Sequence, residues 1–132
     1  MVSQNEICKV GDFGLLRELP KDGEIYVAKS DIPLPLKWMA PESLKDKEFS
    51  TASDVWSFGV LTWEMYHPND TPYGDDDVFS VLMNIAQGKR LPIPEPYPTT
   101  VARIMKACWH QNPAKRPSFL LISSLLTTNA FN

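Results

Sequence analysis

Asp12-Phe13-Gly14 is the first group of residues whose types and order suit chemistry. A carboxylate beside a glycine, leaving a short apolar run and entering a polar stretch, puts a hard oxygen ligand next to backbone that can change conformation. The polar stretch runs from Leu15 to Leu34 and holds one tyrosine, Tyr26, expected to be exposed at its middle. Structureless loops of that length inside a domain are usually functional or disordered. A lone exposed Tyr26 fits the functional reading better, with a merely surface-packed tyrosine as the alternative. Other reactive residue types carry less. Cys8 and Cys108 are far apart in the sequence, with no CxxC partner and no histidine at ligand spacing, and read as two reduced, mostly buried thiols. His67 and His110 have no ligand set around them, and Trp38, Trp56, Trp63 and Trp109 read as packing residues.

Several elements must position these groups. Ile7-Cys8-Lys9-Val10 predicts a short strand, paired in a hairpin with Met1-Val2. Pro41-Glu42-Ser43-Leu44 reads as the first turn of a short helix, with proline where its missing N–H costs nothing. A longer helix follows, with Ser53 as N-cap and Asp54 near the positive helix end. Its stripe is Val55, Phe58, Leu61, Thr62 and Met65, yet Trp56, Val60 and Trp63 lie off that stripe and are apolar too. A helix apolar on most sides belongs in the middle of a structure.

His67 to Gly74 is a loop by turn chemistry, and Asp75-Asp76-Asp77 sets negative charge before a helix carrying Val78, Val81, Leu82 and Ile85. Gly88 ends it. The alternating prolines of Leu91 to Pro98 predict an extended surface connector. Val101, Ile104, Met105 and Cys108 form the next helical stripe, and Phe119, Ile122, Leu125 and Leu126 the last. The expected architecture is mainly α: a short β-hairpin, a long loop and four to five helices in one domain spanning residues 1–132.

Composition excludes some functions. With 132 residues, 43% hydrophobic and 22% charged, the chain suits one globular domain, and its net charge of -3 with scattered basic residues argues against a phosphate-backbone binder. No nucleic-acid partner is expected. No apolar run reaches the roughly 18 residues of a membrane span, and the start lacks the regions of a signal peptide. No membrane contact is expected from this segment.

Asp12-Phe13-Gly14, Ala40-Pro41-Glu42 and Asp54-Val55-Trp56-Ser57-Phe58-Gly59 stand in the order and approximate spacing of eukaryotic protein kinases, and Cys108 to Pro113 with Arg116-Pro117-Ser118-Phe119 extend the match. The chain resembles that family over essentially its whole length. Pro35-Leu36-Lys37-Trp38-Met39-Ala40-Pro41-Glu42 is similar to the tyrosine-specific branch, and further stretches resemble the insulin-receptor group of receptor tyrosine kinases, although this loop carries one tyrosine where that group carries three.

The resemblance implies a partial kinase domain, from just before Asp12-Phe13-Gly14 to the end of the C-terminal lobe, with the long loop as activation segment. It implies ATP and Mg²⁺ as cofactors of the complete kinase, with Asp12 as metal and cofactor ligand. Phe13 would pack internally and Gly14 would give the segment freedom to switch. Tyr26 would be the phosphorylation site, with Arg17, Lys29 and Lys37 as basic residues available to order it. Pro35, Leu36, Trp38 and Met39 would form the substrate-binding wall. Glu42 and Arg116 would meet in a buried ion pair, the alternative being two surface charges worth under about 1 kcal/mol. Asp54 would hold the backbone of a catalytic loop.

The phosphate-gripping lysine, the catalytic base and the second metal ligand of such kinases are expected upstream of Met1. This stretch alone is therefore expected to be inactive and to bind neither cofactor well, with Met1 read as internal to a longer protein. The expected partners are protein tyrosine substrates and the rest of the kinase domain, on the cytoplasmic side, and at the plasma membrane where the parent is a single-pass receptor. The other reading is a non-catalytic kinase-like binding module.

Overall fold

The computed structural model describes residues 8–19, 25–28, 33–93 and 97–129. Five helices dominate: α1 (Pro41–Asp46), α2 (Thr51–Tyr66), α3 (Val78–Ala86), α4 (Thr99–Cys108) and α5 (Phe119–Asn129). Short 3-10 turns cover Phe13–Leu15, Leu36–Trp38 and Pro113–Lys115. Among the described residues the strands are β1 (Tyr26–Val27) and β2 (Glu48–Phe49), an antiparallel pair with Tyr26 opposite Phe49 and Val27 opposite Glu48.

The mainly α architecture agrees with expectation, and the described two-stranded sheet joins β1 to β2. Met1-Val2, the expected hairpin partner, lies outside the described residues. Tyr26, expected exposed in the middle of a loop, is half-buried in a strand because the chain after α1 offers it an edge. Cys8 also departs from expectation: it is exposed, whereas Cys108 is buried, and both are free thiols.

Helix α2 is the centre of the molecule. It starts one turn earlier than read, because Ser50 rather than Ser53 is its N-cap. The Ser50 hydroxyl accepts the Ser53 N–H at 3.2 Å and Ser53 Oγ accepts the Ser50 N–H at 2.8 Å, a reciprocal capping box. The buried face is also rotated from the expected stripe. Val55, Trp56, Gly59, Val60 and Trp63 are buried, while Leu61 is 48% and Met65 71% exposed. With apolar residues on most sides, periodicity could not choose the face; the partner helix did. A Cβ on Gly59 would lie 2.7 Å from Trp109 Nε1 and 2.9 Å from Cys108 Cβ, so glycine lets the end of α4 lie directly on α2.

Around α2 the core takes Val81 and Ile85 from α3, Ile104, Met105 and Cys108 from α4, then Trp109 and Ile122. Helix α3 is bounded by local chemistry as expected. Asp77 caps it by accepting the Ser80 N–H at 3.0 Å, and Gly88, at φ +86°, lets the Lys89 N–H return to Asn84 O at 2.9 Å. The proline-rich connector is less superficial than expected. Leu91 is buried, and Pro92 O accepts the Trp63 indole N–H at 2.7 Å, which ties the connector to α2. Within α5 only Ile122 of the expected stripe is buried, although Phe119 meets Phe58 edge-on at 5.7 Å.

Candidate functional site

Asp12 precedes the 3-10 turn Phe13–Leu15 in a left-handed conformation, φ 64° and ψ 66°, which an aspartate tolerates better than most residues. Its carboxylate makes no cap bond and is exposed. The positive φ lies at Asp12 and not at Gly14, where an added Cβ would meet only Asp12 Oδ1 at 3.9 Å. Phe13 departs from expectation: it does not pack internally but is 60% exposed, since no described element covers that side of the turn.

Beneath the turn lies a cavity of about 400 Å³ whose wall includes Asp12, Arg17, Tyr26, Met39, Ser53 and Asp54. Tyr26 packs against Phe49 with ring centroids 6.4 Å apart, and the Arg17 guanidinium stands 5.9 Å from the Tyr26 ring centre. Arg17 also donates to Leu16 O at 2.7 Å, so it folds back over its own turn. Of the other basic residues considered for Tyr26, Lys37 instead donates to Gly74 O, and Lys29 lies outside the described residues.

Pro35, Leu36, Trp38 and Met39 form one side of the segment's end. Pro35 and Leu36 are exposed, and Met39 is buried. The 3-10 turn is tied to α2 twice: the Trp38 indole donates to Glu64 Oε2 at 3.0 Å, and Ser57 Oγ donates to Trp38 O at 2.8 Å. Pro35 and Leu36 thus stand on a fixed base with their outer surfaces free.

Glu42 and Arg116, distant in sequence, meet in a two-point ion pair. Arg116 Nη1 donates to Glu42 Oε1 at 2.6 Å and Nη2 to Oε2 at 2.9 Å. The same guanidinium donates to Ala52 O at 2.9 Å and, through Nε, to His110 O at 3.0 Å. It also lies 5.0 Å from the centre of the Trp56 ring. The arginine side chain is 0% exposed and that of Glu42 16%. Forked geometry and saturated donors are what make a buried arginine tolerable.

Asp54 stands in the first turn of α2 and is solvent-accessible, and its carboxylate receives no hydrogen bond among the described residues. Partial desolvation beside the cavity raises its pKa. Asp12 and Asp54 reach one cavity, but among the described residues no three His, Cys, Asp or Glu side chains come together as a metal site. Mg²⁺ accepts one or two carboxylates when phosphates and water complete its shell. Asp12 fits that ion as a single ligand and not as a complete site.

Two features escaped sequence reading. Gly59 is a contact residue between helices, hidden because a glycine in a helix gives no periodic signal. Arg90 lies 5.1 Å from the Trp56 ring centre and donates to Trp109 O at 2.8 Å and Ile85 O at 3.0 Å, so two guanidinium groups stand against the Trp56 ring. Nothing local in the sequence marks Arg90 as other than a surface cation.

A helical platform built on one central helix, bearing a segment that begins at an acidic turn and ends in a buried glutamate–arginine clamp, is the architecture of a protein kinase C-terminal lobe. The family model for protein tyrosine and serine/threonine kinases matches residues 1–126, and the chain belongs to that family. It is 44% identical over 129 residues to platelet-derived growth factor receptor alpha of Takifugu rubripes, an alignment covering 97% of this chain and 12% of that protein. It is 46% identical over 123 residues to human vascular endothelial growth factor receptor 1, covering 90% of this chain and 9% of the receptor. The chain therefore spans about a tenth of the length of these relatives. The resemblance reaches receptor tyrosine kinases without singling out the insulin-receptor group.

Proposed function

We propose that this chain is the C-terminal lobe portion of a receptor-type protein tyrosine kinase, which as a complete protein transfers the γ-phosphate of ATP to protein tyrosine. The observation that carries the reading is the clamp of Glu42 on Arg116, which fixes the end of the segment from Asp12 to Glu42 to the helical platform while its beginning stays exposed. A segment held at one end and free at the other can be reordered by a charge. Tyr26 is the site where phosphate would add that charge, beside Arg17.

Asp12 would serve as one magnesium ligand, and the ion, when bound, neutralises phosphate charge during transfer. Gly14 gives the turn room to move, and Phe13 docks when the segment is ordered. Pro35, Leu36, Trp38 and Met39 present a rigid wall to the substrate tyrosine, since Trp38 is bonded to α2 on both its indole and its carbonyl. Asp54, exposed and unbonded, holds backbone N–H groups of the catalytic loop.

The remainder of the kinase domain is the expected partner of this lobe. Phe13, Leu15, Leu16, Leu61 and Met65 are all between 48% and 71% exposed, more large apolar surface than a self-sufficient monomer presents. No helix among the described residues is long and apolar enough to cross a membrane, so attachment to the plasma membrane, with this lobe on the cytoplasmic side, belongs to the receptor parent.

Incubation of the purified 132-residue chain with Mg-ATP and a tyrosine peptide is expected to give no turnover. Turnover abolished by Asp12→Ala would overturn the proposed inactivity of this stretch. In a kinase domain that includes this segment, Asp12→Ala is expected to lower transfer by on the order of 10²–10³-fold. Unchanged transfer there would leave the non-catalytic binding module as the better reading.

A further inference from the structure

Four aromatic rings meet where the proline-rich connector passes the end of α2. His67, the residue that closes α2, stacks on Trp63 with ring centroids 4.0 Å apart and 18° between the planes. Trp63 is itself fixed, since its indole donates to Pro92 O at 2.7 Å. Tyr97 places its hydroxyl 2.9 Å from His67 Nδ1, and its ring lies 4.6 Å from that of Tyr66. Tyr66 is 44% exposed, so small molecules in solution reach the cluster.

His67 Nδ1 also stands 3.0 Å from Trp63 O. One nitrogen serves both contacts in turn, because a carbonyl only accepts, whereas a phenol can give up its proton. With Nδ1 bare, the Tyr97 O–H donates to it. With Nδ1 protonated, its N–H donates to Trp63 O. The imidazole is therefore within hydrogen-bond reach of a proton it can remove, and an acceptor awaits that proton once it has moved.

Among the described residues no other tyrosine hydroxyl is bonded to a side-chain base. Burial, with Tyr66 alongside, pushes the Tyr97 phenol above its ordinary range, so it is protonated in neutral solution. Removing one electron from a protonated phenol gives a strongly acidic radical cation. A base already in contact with the O–H takes up that proton as the electron leaves, which makes Tyr97 the easiest of these phenols to oxidise.

We propose that Tyr97 is a site of one-electron oxidation, with His67 as the acceptor of its proton and Tyr66 as the ring to which it couples. A one-electron oxidant, such as a high-valent metal centre, takes an electron from Tyr97; the O–H bond breaks and the proton passes to His67 Nδ1. A second equivalent of oxidant takes an electron from Tyr66, whose proton goes to water. The two phenoxyl radicals join through a carbon ortho to each oxygen, and each ring regains its aromaticity by moving the proton from that carbon to its oxygen. The net change is one carbon–carbon bond formed, with two electrons and two protons lost. The cross-link fastens the connector to α2 and does not depend on phosphoryl transfer.

The test illuminates the purified 132-residue chain, kept dilute, with ruthenium tris-bipyridyl and persulfate, and identifies cross-linked peptides by mass spectrometry after digestion. The expected product joins Tyr66 to Tyr97 within one chain, is two hydrogen atoms lighter than the separate peptides, and shows dityrosine fluorescence. Tyr97→Phe and Tyr66→Phe should each abolish it. His67→Asn, whose amide can still bond Tyr97 but is not a base, should lower the initial rate about tenfold, since water recovers part of the roughly 10²–10⁴ that a positioned base supplies. The slowing of the native chain in D₂O should shrink in the same variant. His67→Phe, which keeps a ring against Trp63, should show the same loss, and His110→Phe should change nothing. The proposal is overturned if Tyr97 escapes oxidation while Tyr26 or Tyr73 is cross-linked, if the cross-links lie only between chains, or if His67→Asn cross-links at the unaltered rate.

Discussion

Replacing Arg116 with alanine removes one side chain and leaves two acceptors unpaired, the Glu42 carboxylate and His110 O, while Ala52 O is left with its helical bond alone. The arginine is wholly buried and Glu42 is 16% exposed, so water reaches the stranded carboxylate poorly. Breaking a buried pair by deleting one partner costs about 3–5 kcal/mol. The contact with Trp56 is lost as well, about 0.5–2 kcal/mol for a desolvated cation over a ring, which places the expectation at the upper half of that range. Urea unfolding followed by circular dichroism measures it. Removing both charges with an apolar pair, Glu42→Leu and Arg116→Met, should cost less than Arg116→Ala, because no charge is then stranded. A loss below about 1 kcal/mol for Arg116→Ala would refute the reasoning and return the pair to the class of surface ion pairs.

Gly59→Ala forces a methyl to within 2.7 Å of Trp109 Nε1 and should destabilise by about 1–3 kcal/mol in the same unfolding assay, although alanine is the better helix former. Ser50→Ala breaks the capping box of α2 and is expected to cost about 1 kcal/mol, whereas the Ser53 position loses an internal bond and not the cap itself. Stability should fall in alkali. Burial pushes the Cys108 thiol from 9.0 up to about 11, so the unfolded chain releases that proton first, and the stabilisation present below pH 9 is lost as pH rises towards 11. Tyr73, pushed from 10.0 up to about 12, extends the loss through the next interval, and Cys108→Ala should remove the lower part of the pH dependence measured by thermal melting. Thiol titration should find Cys8 reactive and Cys108 protected until the chain unfolds.

What the sequence made legible was chemistry confined to a few consecutive residues. Pro41 starting α1, Asp77 and Gly88 bounding α3, and the apolar stripe of α4 depend on neighbours within one or two turns. The meeting of Glu42 with Arg116 was reached through the family resemblance and not through spacing, since no local pattern links positions so far apart. The misreadings share one physical cause. The buried face of α2, the strand at Tyr26 and the anchoring of Pro92 to Trp63 are each decided by a partner from another part of the chain. Ser50 and Ser53 show the same ambiguity over three residues, since either serine can cap and the start of the helix decides which one does.

Trp56 connects the segment's clamp to the core. Its indole N–H is buried without an acceptor among the described residues, a loss of about 1–3 kcal/mol. Guanidinium groups at 5.0 and 5.1 Å from its ring centre contribute about 0.5–2 kcal/mol each, so the two contacts are comparable to that loss. Arg116 joins Trp56 to Glu42 and the end of the segment, whereas Arg90 joins it to Trp109 and the end of α3. An aromatic ring with no better use for its N–H is thereby the piece through which the clamp shares the rigidity of α2, α3 and α4. Because that rigidity comes from packing, the end of the segment at Glu42 should stay fixed whatever conformation the turn at Asp12 adopts.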